Sequence, residues 1–99
     1  MIYDYVIIGA GISGMNLGLK LKEKFRDKSI LIVEAHTIFG GRIQTIYENN
    51  INFDSGAARF NDNHVLLKGL IKKYKLENDM INIPSSWDTK YLGRKYSSK

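Results

Sequence analysis

Three glycines with a fixed spacing constrain this 99-residue chain more than any other feature. Gly9, Gly11 and Gly14 directly follow a continuous, β-branched apolar run at residues 5–8. Such a run predicts a strand that is buried on both faces, as in a parallel sheet. The glycines permit a tight turn, a close approach of backbone to a diphosphate, and close packing of a following helix on the strand. The pattern therefore predicts a phosphate-binding turn between a strand and a helix.

A strand–helix–strand unit is predicted around this turn. The strands are expected at residues 2–8 and 29–34, and the helix at about residues 13–26. Such a unit takes a right-handed crossover. Glu34 ends the second strand, twenty residues after Gly14. A carboxylate at that place accepts hydrogen bonds from ribose hydroxyls and repels a 2′-phosphate, which argues against an NADP-type dinucleotide.

The diphosphate is expected to lie against the start of the helix. The N–H groups of residues 12–15, among them those of Ile12 and Ser13, have few partners at a helix start. Together with the positive end of the helix dipole they attract phosphate. Because the strand, the helix and the spaced acid are all present, the glycine pattern is more than a chance match.

The segment after residue 34 departs from a nicotinamide-binding domain, which would continue with another helix and a parallel strand. Instead, Gly40 and Gly41 precede Arg42, whose planar cation suits phosphate. A hairpin is predicted from residues 43–48 and 51–53. A loop of small residues at 54–59, a helix at about residues 64–75 and a weak strand at residues 80–83 follow.

These motifs together resemble the N-terminal part of the flavin-containing amine oxidase superfamily over residues 2–60. The resemblance rests on Asp4 to Gly14, on Val33 to Ala35, on Gly40 to Thr45 and on Phe53 to Ala57. It implies FAD as the cofactor. The glycine turn and Gly40–Arg42 would lie along its diphosphate, and Glu34 and Ala35 beside the adenosine ribose. The resemblance also places a loop near the isoalloxazine ring, formed by Gly56, Ala57, Ala58 and Arg59.

The expected fold is α/β: a partial Rossmann-like FAD-binding strand–helix–strand unit followed by a β-hairpin and a helix. Residues 1–99 are predicted to form one incomplete N-terminal FAD-binding segment, with a basic, poorly ordered tail at 88–99. In a doubly wound sheet the first strand is central, and here no strand is predicted for its other side. This exposed edge predicts a complementing polypeptide or self-association.

Composition excludes several classes of protein. Without cysteine the chain has no disulfide, no thiol nucleophile and no Cys-ligated metal. The net charge is +5, of which residues 90–99 carry +4, so the remainder is nearly neutral. We therefore expect no nucleic-acid partner, and the absence of a long apolar run or signal sequence predicts no membrane partner and a cytoplasmic location. The isolated His36 and His64 do not indicate a metal site or a catalytic residue.

Two hypotheses about function remain open. In the first, the chain is the FAD-binding N-terminal portion of a flavin-dependent oxidoreductase that removes hydride from a substrate C–H. In the second, it is a truncated, non-catalytic remnant that binds a nucleotide weakly or acts only by associating with another chain. The sequence assigns no catalytic residue under either hypothesis.

Overall fold

The computed structural model describes residues 1–57 and 59–83, and the backbone of residues 88–91 and 94–97. The chain divides into two compact units, Met1–Arg59 and Phe60–Lys99. The prediction of one N-terminal segment with a poorly ordered tail is not tested by this division and stays a prediction.

The first unit begins with the predicted strand–helix–strand arrangement. Strand β1 (Tyr5–Ile8) is followed by helix α1 (Ile12–Lys24) and strand β2 (Ile30–Val33). The two strands pair in parallel, with Tyr5 opposite Ile30. The α/β class and the partial Rossmann-like unit are thereby confirmed.

The two strands are shorter than predicted, and the residues directly before them, Asp4 and Ser29, bond through side chains. Asp4 N–H donates to Ser29 Oγ over 3.0 Å, and Ser29 N–H donates to Asp4 Oδ2 over 2.8 Å. Lys28 adds an ion pair of 3.0 Å to Asp4 Oδ1. These contacts lower the pKa of the Asp4 carboxyl far below its usual range, with the Ser29 N–H as the largest cause. Asp4 and Ser29 therefore join the N-terminal ends of the strands.

Helix α1 packs closely on one face of the sheet because two of its residues lack side chains. A Cβ atom on Gly14 would collide with the carbonyl oxygen of Gly9. A Cβ atom on Gly18 would lie 3.0 Å from Ile32 Cδ1 and 3.5 Å from Ile7 Cδ1. The close helix–strand packing predicted from the glycine pattern is confirmed.

The core of the first unit is small. Among the described residues only Ile7 and Ala10 are buried hydrophobic residues, each 8% exposed. On β1, Val6 is 56% exposed and Ile8 is 89% exposed. Within the described strands β1 pairs with β2 alone, so its second edge makes no ladder contact. The sheet thus presents an apolar face and a free edge.

The predicted hairpin follows. Strands β3 (Thr45–Glu48) and β4 (Ile51–Asp54) pair antiparallel, with Glu48 opposite Ile51. The two-residue turn between them has positive φ at both Asn49 and Asn50, at 50° and 62°. Tight hairpin turns need this conformation, and asparagine tolerates it better than most residues.

The second unit contains helix α2 (Val65–Lys73), a 3₁₀ turn at Glu77–Asp79 and the strands β5 (Asp88–Tyr91) and β6 (Arg94–Ser97). Helix α2 agrees with the prediction, and β5 and β6 form a hairpin that the sequence did not indicate. The weak strand predicted at residues 80–83 is wrong. Met80 N–H instead closes the 3₁₀ turn by donating to the Glu77 carbonyl over 3.3 Å.

Candidate functional site

The glycine turn joins the carboxyl end of β1 to the start of α1. Gly9 has a φ of +96°, and its N–H donates to the Val33 carbonyl over 2.7 Å. Gly11 is the N-cap of the helix, with no side-chain hydrogen bond to the cap. A Cβ atom on Gly11 would meet nothing within 4 Å. The turn is therefore held on β2, while the space beside Gly11 is open to a ligand.

The first turn of α1 presents backbone donors. The N–H groups of Ile12, Ser13 and Gly14 have no acceptor inside the helix, as is usual at this position. No acidic residue lies in the first turn to compensate the helix dipole. Met15 differs from the prediction, because its N–H donates to the Gly11 carbonyl over 3.0 Å. Of the four predicted donors, three thus have no partner inside the helix, and the parallel bridge between Gly11 and Gly40 brings the Gly40 carbonyl beside the first of them.

Glu34 lies directly after β2, and both of its carboxylate oxygens accept backbone hydrogen bonds. Ala10 N–H donates to Oε2 over 2.8 Å, and His36 N–H donates to Oε1 over 3.0 Å. The His36 N–H and then the Ala10 N–H lower the pKa of this carboxyl. A carboxylate offers about four acceptor positions, so those left over suit ribose hydroxyls. Ala35, also a predicted site residue, is exposed beside it.

The glycine doublet lies against the glycine turn. Gly40 N–H donates to the Ala10 carbonyl over 2.8 Å. Gly40 and Gly41 have φ angles of +110° and +61°, a region that strongly favours glycine. A Cβ atom on Gly41 would lie 3.3 Å from the Cα atom of Gly11. The doublet therefore fits here because it lacks side chains, and it puts the exposed Arg42 near the turn.

The hairpin returns the chain to Arg42. Ala57 N–H donates to the Arg42 carbonyl over 3.0 Å, and a Cβ atom on Gly56 would collide with that same carbonyl. Arg59 is exposed and makes no hydrogen bond to these segments in the described structure, and Ala58 lies outside the described residues. Of the predicted site, the structure thus brings together the glycine turn, Glu34, Gly40–Arg42 and Gly56–Ala57.

Sequence reasoning missed one residue that connects these segments. Ala10 donates its N–H to Glu34 and accepts the N–H of Gly40, so its two peptide groups join three parts of the site. It occupies an unspecified position of the glycine pattern. The only available signal was its small side chain, which is consistent with its burial.

Two further properties concern residues 1–57 and 59–83. No group of three His, Asp or Glu side chains in this part of the chain could hold a metal ion. Neither of its α-helices has the length and apolar character that crossing a membrane requires.

Comparison with known families identifies the domain. Residues 7–74 match the NAD(P)-binding Rossmann-like domain. The chain belongs to this family. The match runs from β1 through α2 and includes all the segments that meet at the glycine turn.

Individual relatives of this Rossmann-like chain are named as oxidases, one of them as a flavin-containing oxidase. It is 32% identical over 82 residues to the flavin-containing amine oxidase A of Equus caballus, covering 82% of this chain and 15% of the relative. It is 33% identical over 78 residues to the putative L-amino-acid oxidase YobN of Bacillus subtilis (strain 168), covering 76% of this chain and 16% of the relative. The chain therefore spans about a sixth of these proteins.

A solved structure supports the fold. A putrescine oxidase with bound putrescine superposes with a TM-score of 0.69 at 18% identity, covering 98% of this chain and 21% of that chain. The family match and the named relatives confirm the resemblance to the N-terminal segment of the flavin-containing amine oxidase superfamily.

Proposed function

We propose that this chain is the FAD-binding N-terminal portion of a flavin-dependent oxidoreductase of the amine oxidase type. The observation that carries the proposal is a series of backbone contacts that runs from the open start of α1 through Gly40–Gly41 to Gly56–Ala57. Gly40 N–H bonds to the turn through Ala10, and Ala57 N–H bonds to Arg42. The names of the relatives support a flavin rather than a nicotinamide dinucleotide. The remnant hypothesis draws no comparable support.

The residues fit such a cofactor. The N–H groups of Ile12, Ser13 and Gly14 would hold the diphosphate, because they point from a helix start that carries no acid. The open acceptor positions of Glu34 would bind the adenosine ribose. The exposed guanidinium of Arg42 would approach a phosphate. The resemblance places the loop at Gly56–Arg59 near the flavin ring.

When bound, FAD would accept a hydride from a substrate C–H next to an amine nitrogen, and this chemistry belongs to the cofactor. The residues of this chain bind and orient it. The chain spans about a sixth of its relatives, and the proposal assigns no substrate-contacting residue within it.

The test is a titration of the purified chain with FAD, followed by quenching of flavin fluorescence. We expect saturable binding at micromolar FAD and much weaker competition by NADP⁺ than by ADP-ribose. Glu34→Ala should weaken FAD binding about tenfold, the scale of losing hydrogen bonds to a charged group. The matched control is Glu48→Ala, which removes an exposed acid from β3. An absence of saturable quenching would refute FAD binding by this chain.

A second proposal concerns the free edge of β1: in solution the 99-residue chain pairs with a second copy through this edge. The strand Tyr5–Ile8 carries no charge, so two antiparallel copies oppose no like charges there. It also lacks the lysine or proline that commonly protects an edge strand. Val6 and Ile8 are exposed beside it.

Sedimentation velocity tests this pairing. Wild type should sediment as a dimer, and Val6→Lys should shift it to monomer, whereas Ile51→Lys, on the exposed hairpin, should not. A wild-type monomer at all concentrations would refute pairing between copies and would favour a complementing polypeptide as the covering partner.

A further inference from the structure

The Ala10 peptide groups lie between two segments that are distant in sequence. The N–H of Ala10 donates to Glu34 Oε2 over 2.8 Å, and its carbonyl accepts the Gly40 N–H over 2.8 Å. Ala10 is one of the two buried hydrophobic residues among those described. A change in the position of Ala10 would therefore be transmitted to Gly40.

Glu34 is restrained from two sides. Its Oε2 atom accepts from Ala10, and its Oε1 atom accepts from His36, two residues along the chain. Bonds from backbone donors to an ionised acceptor are stronger than bonds between neutral groups. The carboxylate thus ties the glycine turn to the segment that leaves β2, using atoms of this chain alone.

We propose that Glu34 is a positioning residue for the glycine turn and, through Ala10, for the Gly40–Gly41 doublet, in addition to its proposed contact with ribose. The doublet needs such support because its backbone has positive φ angles and contacts the turn at Gly11. An isolated parallel bridge between Gly11 and Gly40 is the only ladder contact described for this segment. Without Glu34, the turn and the doublet would separate more readily.

The importance of this contact for cofactor binding rests on the proposed function, but the contact itself does not. The two can be tested separately. If Glu34 acts only on ribose, its removal changes nothing in the chain without nucleotide. If it positions the turn, its removal loosens Ala10 and Gly40 before any nucleotide is added.

The experiment is amide hydrogen exchange of the full chain without nucleotide, read by NMR. In Glu34→Ala we expect the amides of Ala10 and Gly40 to exchange on the order of tenfold faster, as local opening becomes easier. The amides inside β2 should change much less. In Glu34→Gln the effect should be smaller, because the amide oxygen can accept one of the two bonds.

The matched control is Asp4→Ala. Asp4 also accepts a backbone bond with its carboxylate, from Ser29, but at the opposite ends of the same two strands. The Asp4→Ala substitution should speed amide exchange at Ser29 and leave the exchange rates of the Ala10 and Gly40 amides unchanged. Unchanged exchange of Ala10 and Gly40 in Glu34→Ala would overturn the proposal, and so would equal acceleration of both amides in Asp4→Ala. If Glu34→Ala does not fold, the exchange rates of the Ala10 and Gly40 amides are measured in Glu34→Gln instead. Unchanged rates at both amides in that variant would overturn the proposal.

Failure of FAD titration would leave this result intact, since no nucleotide is present in the exchange experiment. Conversely, faster exchange at Ala10 and Gly40 together with normal FAD affinity would support positioning and contradict the assigned ribose contact.

Discussion

Replacing Gly14 by alanine tests the central packing contact of the first unit. The added Cβ atom would collide with the carbonyl oxygen of Gly9 and would lie 3.3 Å from Ile7 Cγ2. A backbone carbonyl in a turn that is itself bonded to Val33 cannot rotate away as the end of a side chain can. The start of α1 must therefore move off the sheet, which uncovers Ile7 and displaces the first-turn N–H groups.

The size of the effect follows from two opposed terms. Forcing an extra carbon into a packed site costs about 1–3 kcal/mol, and the rigid carbonyl argues for the upper end. Alanine gains up to about 1 kcal/mol over glycine in a helix. We therefore expect Gly14→Ala to lower the free energy of unfolding by about 2 kcal/mol.

Urea denaturation followed by far-UV circular dichroism measures this change. Gly69→Ala in α2 is the matched control, since a Cβ atom there meets nothing within 4 Å. It should raise the free energy of unfolding by up to about 1 kcal/mol. Gly18→Ala should lie between the two, because the flexible Ile32 Cδ1 atom at 3.0 Å can move. A Gly14→Ala chain as stable as wild type would refute the packing argument.

Two further predictions concern the strand ends and the doublet. The pKa of Asp4 is lower in the folded chain than its unfolded value of about 3.9, so its stabilising effect is complete above about pH 5 and is lost as the pH falls. Denaturation between pH 6 and pH 3 should therefore show a shallower acid loss in Asp4→Asn than in wild type; equal slopes would contradict this role. Gly41→Ala should weaken FAD binding, since it combines a φ of +61° with a Cβ atom 3.3 Å from Gly11. Titration of this variant checks the effect, and an affinity equal to that of wild type would argue against the doublet's place at the turn.

Local patterns were sufficient to predict the elements of the first unit. The apolar runs and the glycine spacing predicted β1, α1 and β2, and the two asparagines predicted the hairpin turn. The ends were less predictable, because side chains compete there with the backbone ladder. Asp4 and Ser29 bond to each other's N–H groups, and neither pattern nor propensity indicates such a pair.

The contacts within the candidate site could not be predicted from the sequence, for a different reason. Ala10 bonds to Glu34 and Gly40 through its backbone, so its residue type carries almost no information about the contacts. In the second unit the strand predicted at residues 80–83 failed because no described strand pairs with it, although the backbone of Met80 is extended. A short apolar run alone is an ambiguous signal and does not show whether a partner strand lies beside it.

The hairpin explains why Gly56 contacts Arg42 although thirteen residues lie between them in the sequence. The two-residue turn pairs Thr45 with Asp54, and the same register continues through Gln44 and Ser55 to Arg42 and Ala57. A single inserted residue at the turn would shift this register and put a different residue opposite the Arg42 carbonyl. Adding one residue to each strand would preserve it. The length of the turn, rather than that of the strands, therefore determines that a residue without a side chain lies beside Arg42, where a Cβ atom has no room.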